Sequence, residues 1–179
     1  MERYEGTFDG GSRGNPGVAG AGWVLWKCQD DGRRRRVDAG TVFVGENETN
    51  NVSEYTGAIE LCDAALRNGV GSLRVRGDSK LVVMQVTNKW KVNAEHLLPL
   101  RNRLQELKAQ FADECTFEHI PRAANKAADG MSNLAMDDRR SFTGLHLLER
   151  LEESARAPPP IVVQCASKGR AAKRPRVEK

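Results

Sequence analysis

Four carboxylates spread along the chain, Asp9, Glu54, Asp78 and Asp129, have the most to offer chemically. Asp9 closes an alternating run, Tyr4, Gly6 and Phe8 against Glu5 and Thr7, that reads as a first strand. Gly10 to Gly17 then reads as a compact turn of four glycines and a proline, leading into a second strand from Ala19 to Lys27. Each acid also has an ordinary reading of its own. Asp9 could be the polar shoulder of a hairpin, and Glu54 an acid favoured by a helix N-terminus. Asp78, in Gly77-Asp78-Ser79, could be an N-cap, and Asp129 a solvated surface acid. Their chemistry depends on where the elements between them bring them.

Those elements follow from pattern. Asp30-Asp31-Gly32 is a turn signal, Arg33 to Arg36 a basic hairpin tip, and Val37 to Val44 a third strand ending in a polar loop, 45–51. Val52, Tyr55, Ile59, Cys62 and Leu66 form one stripe of a helix from Asn51 to Asn68, stopped by Asn68-Gly69. Ser72 to Arg76 is a short strand, followed by a largely apolar helix to about Asn88. Another helix carries Leu97, Leu100, Leu104, Leu107 and Phe111, and Cys115 to Ile120 is a last strand. Ala124 to about Asp138 reads as a helix burying Ala127, Met131, Leu134 and Ala135, with Asp129 in its second turn pointing away. Residues 1–138 form the expected domain. Residues 139–154 would add a short helix through Leu145, Leu148 and Leu151, and 155–179 a basic tail too broken to fold.

Three consecutive strands with short links should be antiparallel, and strands separated by helices should join in parallel through right-handed crossovers. The expectation is an α/β fold with a mixed five-stranded sheet, three antiparallel strands then two parallel, flanked by helices. On that topology the exits of the first and fourth strands lie side by side. Glu54 and Asp129 start helices that can pack on the same end. Four acids at one spot cannot all ionise without a cation among them. Oxygen-only ligation suits magnesium or manganese rather than zinc, and a pair of such ions is the apparatus of in-line phosphodiester cleavage.

Composition agrees with this without specifying it. The chain has 179 residues, is 39% hydrophobic, and carries +4 overall. Seven basic residues against one acid from Ala155 onward give the tail +6, leaving the body at −2. No apolar run is long enough to span a membrane, and Met1-Glu2-Arg3 leads straight into a strand with no signal or transit segment. Four dispersed cysteines (Cys28, Cys62, Cys115, Cys165) form no Cys-x-x-Cys pair and read as reduced, structural thiols of a cytoplasmic or nuclear protein.

Four motifs, in order, resemble those of a type 1 ribonuclease H. They are Thr7-Phe8-Asp9-Gly10-Gly11-Ser12 with Gly14-Asn15-Pro16-Gly17, Thr49-Asn50-Asn51-Val52-Ser53-Glu54-Tyr55, and Gly77-Asp78-Ser79. The fourth is His119 through Asp129 followed by Ser132-Asn133-Leu134-Ala135, so the resemblance covers residues 4–137. His119-Ile120-Pro121-Arg122 looks like the shorter loop of the family's plant and archaeal-like branch. The resemblance implies a ribonuclease H-like fold. It also implies metal-dependent endonucleolytic cleavage of the RNA strand of an RNA–DNA hybrid, with two Mg2+ or Mn2+ ions, leaving 3′-hydroxyl and 5′-phosphate ends. Asp9 would bridge both ions, Glu54 and Asp78 would complete one site and Asp129 the other. His119 would assist proton transfer or product release, or be a strand-end histidine with no chemical part. Asn15 and Asn51 would touch the minor groove and sense 2′-hydroxyls. Thr49 would touch a DNA phosphate, and Gly10, Gly11, Asn125 and Trp90 would complete the nucleic-acid contacts.

The sequence departs from bacterial members in one place. Only Lys89, Trp90 and Lys91 stand where those carry a basic extra helix. Substrate affinity is therefore expected to come partly from elsewhere, including the tail, whose Lys173-Arg174-Pro175-Arg176 also resembles a nuclear-import signal. A monomer with no membrane association and no small-molecule cofactor is expected. The rival reading is a binding module for hybrids or double-stranded RNA that keeps the fold without useful turnover. A domain captured from a reverse-transcribing element would share the chemistry.

Overall fold

The computed structural model describes residues 2–156. Residues 155 and 156 of the expected tail are helical; for 157–179 the expectations of disorder, a part in substrate affinity and an import signal lie outside the described residues, as does Cys165.

Strands β1 (Arg3–Arg13), β2 (Gly17–Cys28) and β3 (Arg34–Glu48) form an antiparallel meander. After helix α1 (Asn50–Arg67), strand β4 (Ser72–Gly77) pairs parallel to β1. Helices α2 (Lys80–Val86) and α3 (Leu98–Lys108) follow, and β5 (Glu114–His119) pairs parallel to β4. Helix α4 (Lys126–Asp138), strand β6 (Phe142–Thr143) and helix α5 (His146–Arg156) complete the described chain. The sheet therefore has six strands rather than the five expected, in the order β5-β4-β1-β2-β3-β6. The sixth is a two-residue strand, Phe142–Thr143, that pairs with Thr41 and Gly40 of β3. It falls where a helix was expected to begin, and it is too short to show an alternating pattern.

Alternation along the strands builds a core on each face. Phe8, Trp23, Leu25, Leu73 and Val75 pack with Tyr55, Leu61, Cys62, Leu104 and Leu107 beneath α1 and α3. Val24 and Ala39 face the other way, onto Met131 of α4 and Leu147 and Leu148 of α5. Cys62 and Cys115 are buried free thiols and Cys28 is half-buried.

Two glycines let helices lie directly on the strands. A Cβ on Gly10 would sit 2.2 Å from backbone atoms of Ser53 and Glu54 in α1. A Cβ on Gly22 would sit 2.3 Å from Met131 Cβ and 2.4 Å from the Ser132 nitrogen in α4. Gly10 is thus a contact glycine rather than a turn glycine, and β1 runs four residues past Asp9, which pairs with Gly22 in mid-strand.

Strand β3 likewise begins inside the arginine run expected to be a hairpin tip. Arg34 and Arg36 point to one face, over the Trp26 ring at 5.2 and 5.7 Å. It also continues through most of the expected loop, to Glu48.

Candidate active site

Each of the four carboxylates arrives on a different element, held by local structure. Asp9 projects from mid-β1 and is 4% exposed. Glu54 lies in α1, whose N-cap Thr49 accepts a hydrogen bond from the Val52 N–H through Oγ1. Asp78 follows β4, and its neighbour Ser79, not Asp78, caps α2 by accepting from the Val82 N–H. Asp78 is thereby left free for other work. Asp129 lies in the first turn of α4, not the second, because α4 begins at Lys126 after a short 3-10 turn at Arg122–Ala124.

Protein donors hold these acids. Ser132 Oγ donates to Asp9 Oδ2 at 2.7 Å, and Asn125 Nδ2 to Asp78 Oδ1 at 2.6 Å. Asn50 Nδ2 donates to Glu54 Oε1 at 3.3 Å, while Asn133 Nδ2 reaches Asp129 Oδ2 at 3.4 Å. Arg122, exposed, sends Nη2 to Asp129 Oδ1 at 2.5 Å. Among the described residues no three His, Cys, Asp or Glu side chains close into a ready-made metal cage, and each carboxylate is turned towards one of these donors.

Electrostatically the cluster is under-compensated. Burial pushes Glu54 up to about 9, with the charges of Asp9 and Asp78 adding to it. Burial pushes Asp9 up to about 7, assisted by Asp78 and Asp129 and opposed by the Ser132 hydrogen bond. Glu54 Oε2 is buried and has no partner among the described residues. Oxygen donors alone, two of them buried and short of positive charge, are what a hard divalent cation takes. The residues fit such an ion.

Asp9 and Asp129, but not Glu54 or Asp78, line a cleft of about 240 Å3 together with Gly10, Gly11, Asn50, Arg122 and Ser132. A second groove, about 560 Å3, runs past Asn51, Leu81, Lys89, Trp90, Lys91 and Asn93. Trp90 is 47% exposed there, with Lys80 Nζ 5.8 Å over its ring. Asn50 and Asn51 are consecutive, so the first turn of α1 borders both depressions. A further groove of about 380 Å3 lies among Arg3, Glu5, Arg34 and Arg74, which are not part of the acidic cluster. The acidic cleft is the smallest of the three.

Of the residues expected to meet nucleic acid, Gly10, Gly11, Asn51 and Trp90 line the two depressions. Asn15 is exposed and accepts from the Asn50 N–H, tying the β1–β2 turn to the start of α1. Thr49 is half-buried at the cap, and Gly10 is buried under α1. Asn125 is different: at 1% exposed it cannot reach a surface ligand, because its amide is spent on Asp78 and on the Phe8 carbonyl. His119 is exposed at the end of β5, in register with Gly77 beside Asp78. Arg122, Ser132 and Asn133 stood in the quoted motif without a role. Their spacing about Asp129 was the available signal.

Residues 7–135 match a family model described as reverse transcriptase-like. The Ribonuclease H of Ruthia magnifica is 30% identical over 144 residues, which cover 72% of this chain and 92% of that protein. The chain belongs to the ribonuclease H family. The Ribonuclease HI of Halobacterium salinarum is 42% identical over 136 residues, or 76% of this ribonuclease H chain, which spans 65% of the halophile protein's length. The crystal structure of the RNase H1 from that archaeon superposes with a TM-score of 0.69 at 41% identity, over 76% of this chain and 98% of that one. LC11-RNase H1, crystallised in complex with an RNA/DNA hybrid, superposes with a TM-score of 0.66 at 31% identity, over 76% and 98% of the respective chains.

Proposed function

We propose that this ribonuclease H hydrolyses the RNA strand of RNA–DNA hybrids as a metal-dependent endonuclease, leaving 3′-hydroxyl and 5′-phosphate ends. The observation that carries this reading is that Asp9 and Asp129 line one cleft while the charges of Asp78 and Asp129 bear on Asp9 and those of Asp9 and Asp78 on Glu54, with Asp9 and Glu54 buried and short of countercharge. Asp9 would serve both of two Mg2+ or Mn2+ ions, Glu54 and Asp78 one of them, and Asp129 the other. Bound there, such ions supply water activation and charge neutralisation at the scissile phosphate.

The chain's own residues do the rest. Lys89, Lys91 and Lys80 bring positive charge to the second groove, where a phosphodiester backbone would lie. Trp90 presents an exposed aromatic surface for stacking on a sugar or base. Asn51, in the same groove, has the amide needed to pair with a 2′-hydroxyl, the group that tells RNA from DNA. Arg122 offsets the negative charge of Asp129 from the solvent side. His119, exposed at the end of β5 in register with Gly77, would pass a proton between the departing 3′-oxygen and water.

The test is cleavage of an end-labelled RNA–DNA hybrid with Mg2+ or Mn2+, beside Asp78→Asn and beside RNA–RNA and DNA–DNA duplexes of the same sequence. Hybrid-only cleavage that disappears in Asp78→Asn is the expected result. Tight hybrid binding by the wild type with no cleavage in either metal would overturn it in favour of a binding module.

A further inference from the structure

Helix α4 contributes more to the cluster than Asp129. Asn125, at its N-terminal boundary, is 1% exposed, and its Nδ2 donates both to the Phe8 carbonyl at 2.8 Å and to Asp78 Oδ1 at 2.6 Å. Both partners are acceptors, so the amide has only one workable orientation. Turning it over would set Oδ1 against two other oxygens. That orientation leaves Asn125 Oδ1 buried with no partner among the described residues, a cost the fold would shed if packing alone selected this side chain. The Asn125 carbonyl in turn accepts from the Asp129 N–H at 3.0 Å. One residue therefore touches the segment just before Asp9, the carboxylate of Asp78 and the backbone of Asp129. Two turns further along, Ser132, also 1% exposed, sets its hydroxyl 2.7 Å from Asp9 Oδ2 and 2.9 Å from the Asp129 carbonyl. Its single proton goes to the nearer acceptor, the Asp9 carboxyl oxygen.

We propose that Asn125 and Ser132 are positioning residues, which fix the spacing of Asp78 and Asp9 for a divalent cation and make the docking of α4 a condition for metal binding. The inference rests on the reading of the four carboxylates as a metal site. It predicts that metal affinity depends on two side chains that themselves need not contact metal or nucleic acid.

The test is a calorimetric titration with Mn2+ alone, without nucleic acid, of wild type, Ser132→Ala and Asn125→Ala, each first checked for fold by circular dichroism. Loss of either donor is expected to weaken Mn2+ binding about 10–100-fold. On hybrid cleavage, kcat should fall while KM stays within about twofold, because the Asn51–Trp90 groove is untouched. Ser132→Ala removes one oxygen and adds no volume, so it decides the matter should Asn125→Ala fail to fold. A folded Ser132→Ala that binds Mn2+ as tightly as wild type would overturn this inference and leave the proposed function standing. Absence of Mn2+ binding by the wild type would overturn both.

Discussion

Glu54→Gln should make the protein more stable in the presence of a chelator while abolishing hybrid cleavage. Burial, then the charges of Asp9 and Asp78, raise Glu54 from the ordinary 4.5 to about 9. A carboxyl whose pKa is higher folded than unfolded contributes its stability fully below the unfolded value and loses it as pH climbs towards the folded one. For Glu54 that window runs from about pH 4.5 to about pH 9. At about pH 7.5 the folded chain holds a proton that the unfolded chain has given up across roughly three pH units. At about 1.4 kcal/mol per unit this costs about 4 kcal/mol. Glutamine has nothing to ionise and recovers that amount. Against this, Glu54 Oε2 is buried without a partner, and an amide placed there strands a donor for about 1–3 kcal/mol. The balance is a gain of about 1–3 kcal/mol, or several degrees in Tm at roughly 2–4 °C per kcal/mol. The assay is scanning calorimetry of both proteins in EDTA at about pH 7.5 and about pH 4.5. The gain should be present at the higher pH, and at the lower it should vanish or reverse. Glu54→Gln showing the same Tm difference from wild type at both pH values would refute the account of Glu54 as a buried, charge-frustrated acid.

Gly10→Ala should destabilise by about 1–3 kcal/mol, since the new methyl group would meet the backbone of Ser53 and Glu54 at 2.2 Å. Chemical denaturation reads the stability, and cleavage should fall with it as α1 shifts Glu54. Trp90→Ala should raise KM for hybrid by an amount equivalent to about 1–3 kcal/mol with kcat nearly unchanged, measured by steady-state cleavage. Leu147→Ala, in the core shared by α4, α5 and β3, should cost about 2–5 kcal/mol; an unchanged denaturation midpoint would mean that α5 does not belong to the cooperative fold.

The strand and helix order was legible because most elements announce themselves by period, and the meander followed by parallel crossovers leaves few ways to fold. What misled was residue types with two physical uses. Gly10 and Gly11 beside Asp9 look like the start of a turn, yet Gly10 is there so that α1 can pass close over β1. The arginine run looks like a solvated tip, but Arg34 and Arg36 alternate with their neighbours and lie over Trp26, which only a partner strand reveals. The buried face of α4 holds the expected Met131 and Ala135 and adds Ala128, Ser132 and Met136, while Ala127 and Leu134 are half-buried at its edge against the same core. Small residues turn inward there because Gly20 and Gly22 bring the helix close to β2. Apolar pattern ranks a serine as outward-facing. Asn125 was placed on the nucleic-acid face for a related reason: a polar residue near a motif looks like a contact until its burial is known. The four acids could be named from motif and topology. Their two buried partners required the packing of α4.

Asn50 and Asn51 stand side by side at the start of α1, one bordering the acidic cleft and the other the Trp90 groove. Neighbouring Cα atoms are about 3.8 Å apart, a length fixed by covalent bonds rather than by packing. A protein built this way works like a calliper whose two jaws are cut from one bar. On the proposed function, the borders at which a strand would be felt and cut meet at one peptide bond, so breathing of the helix would carry those two borders together.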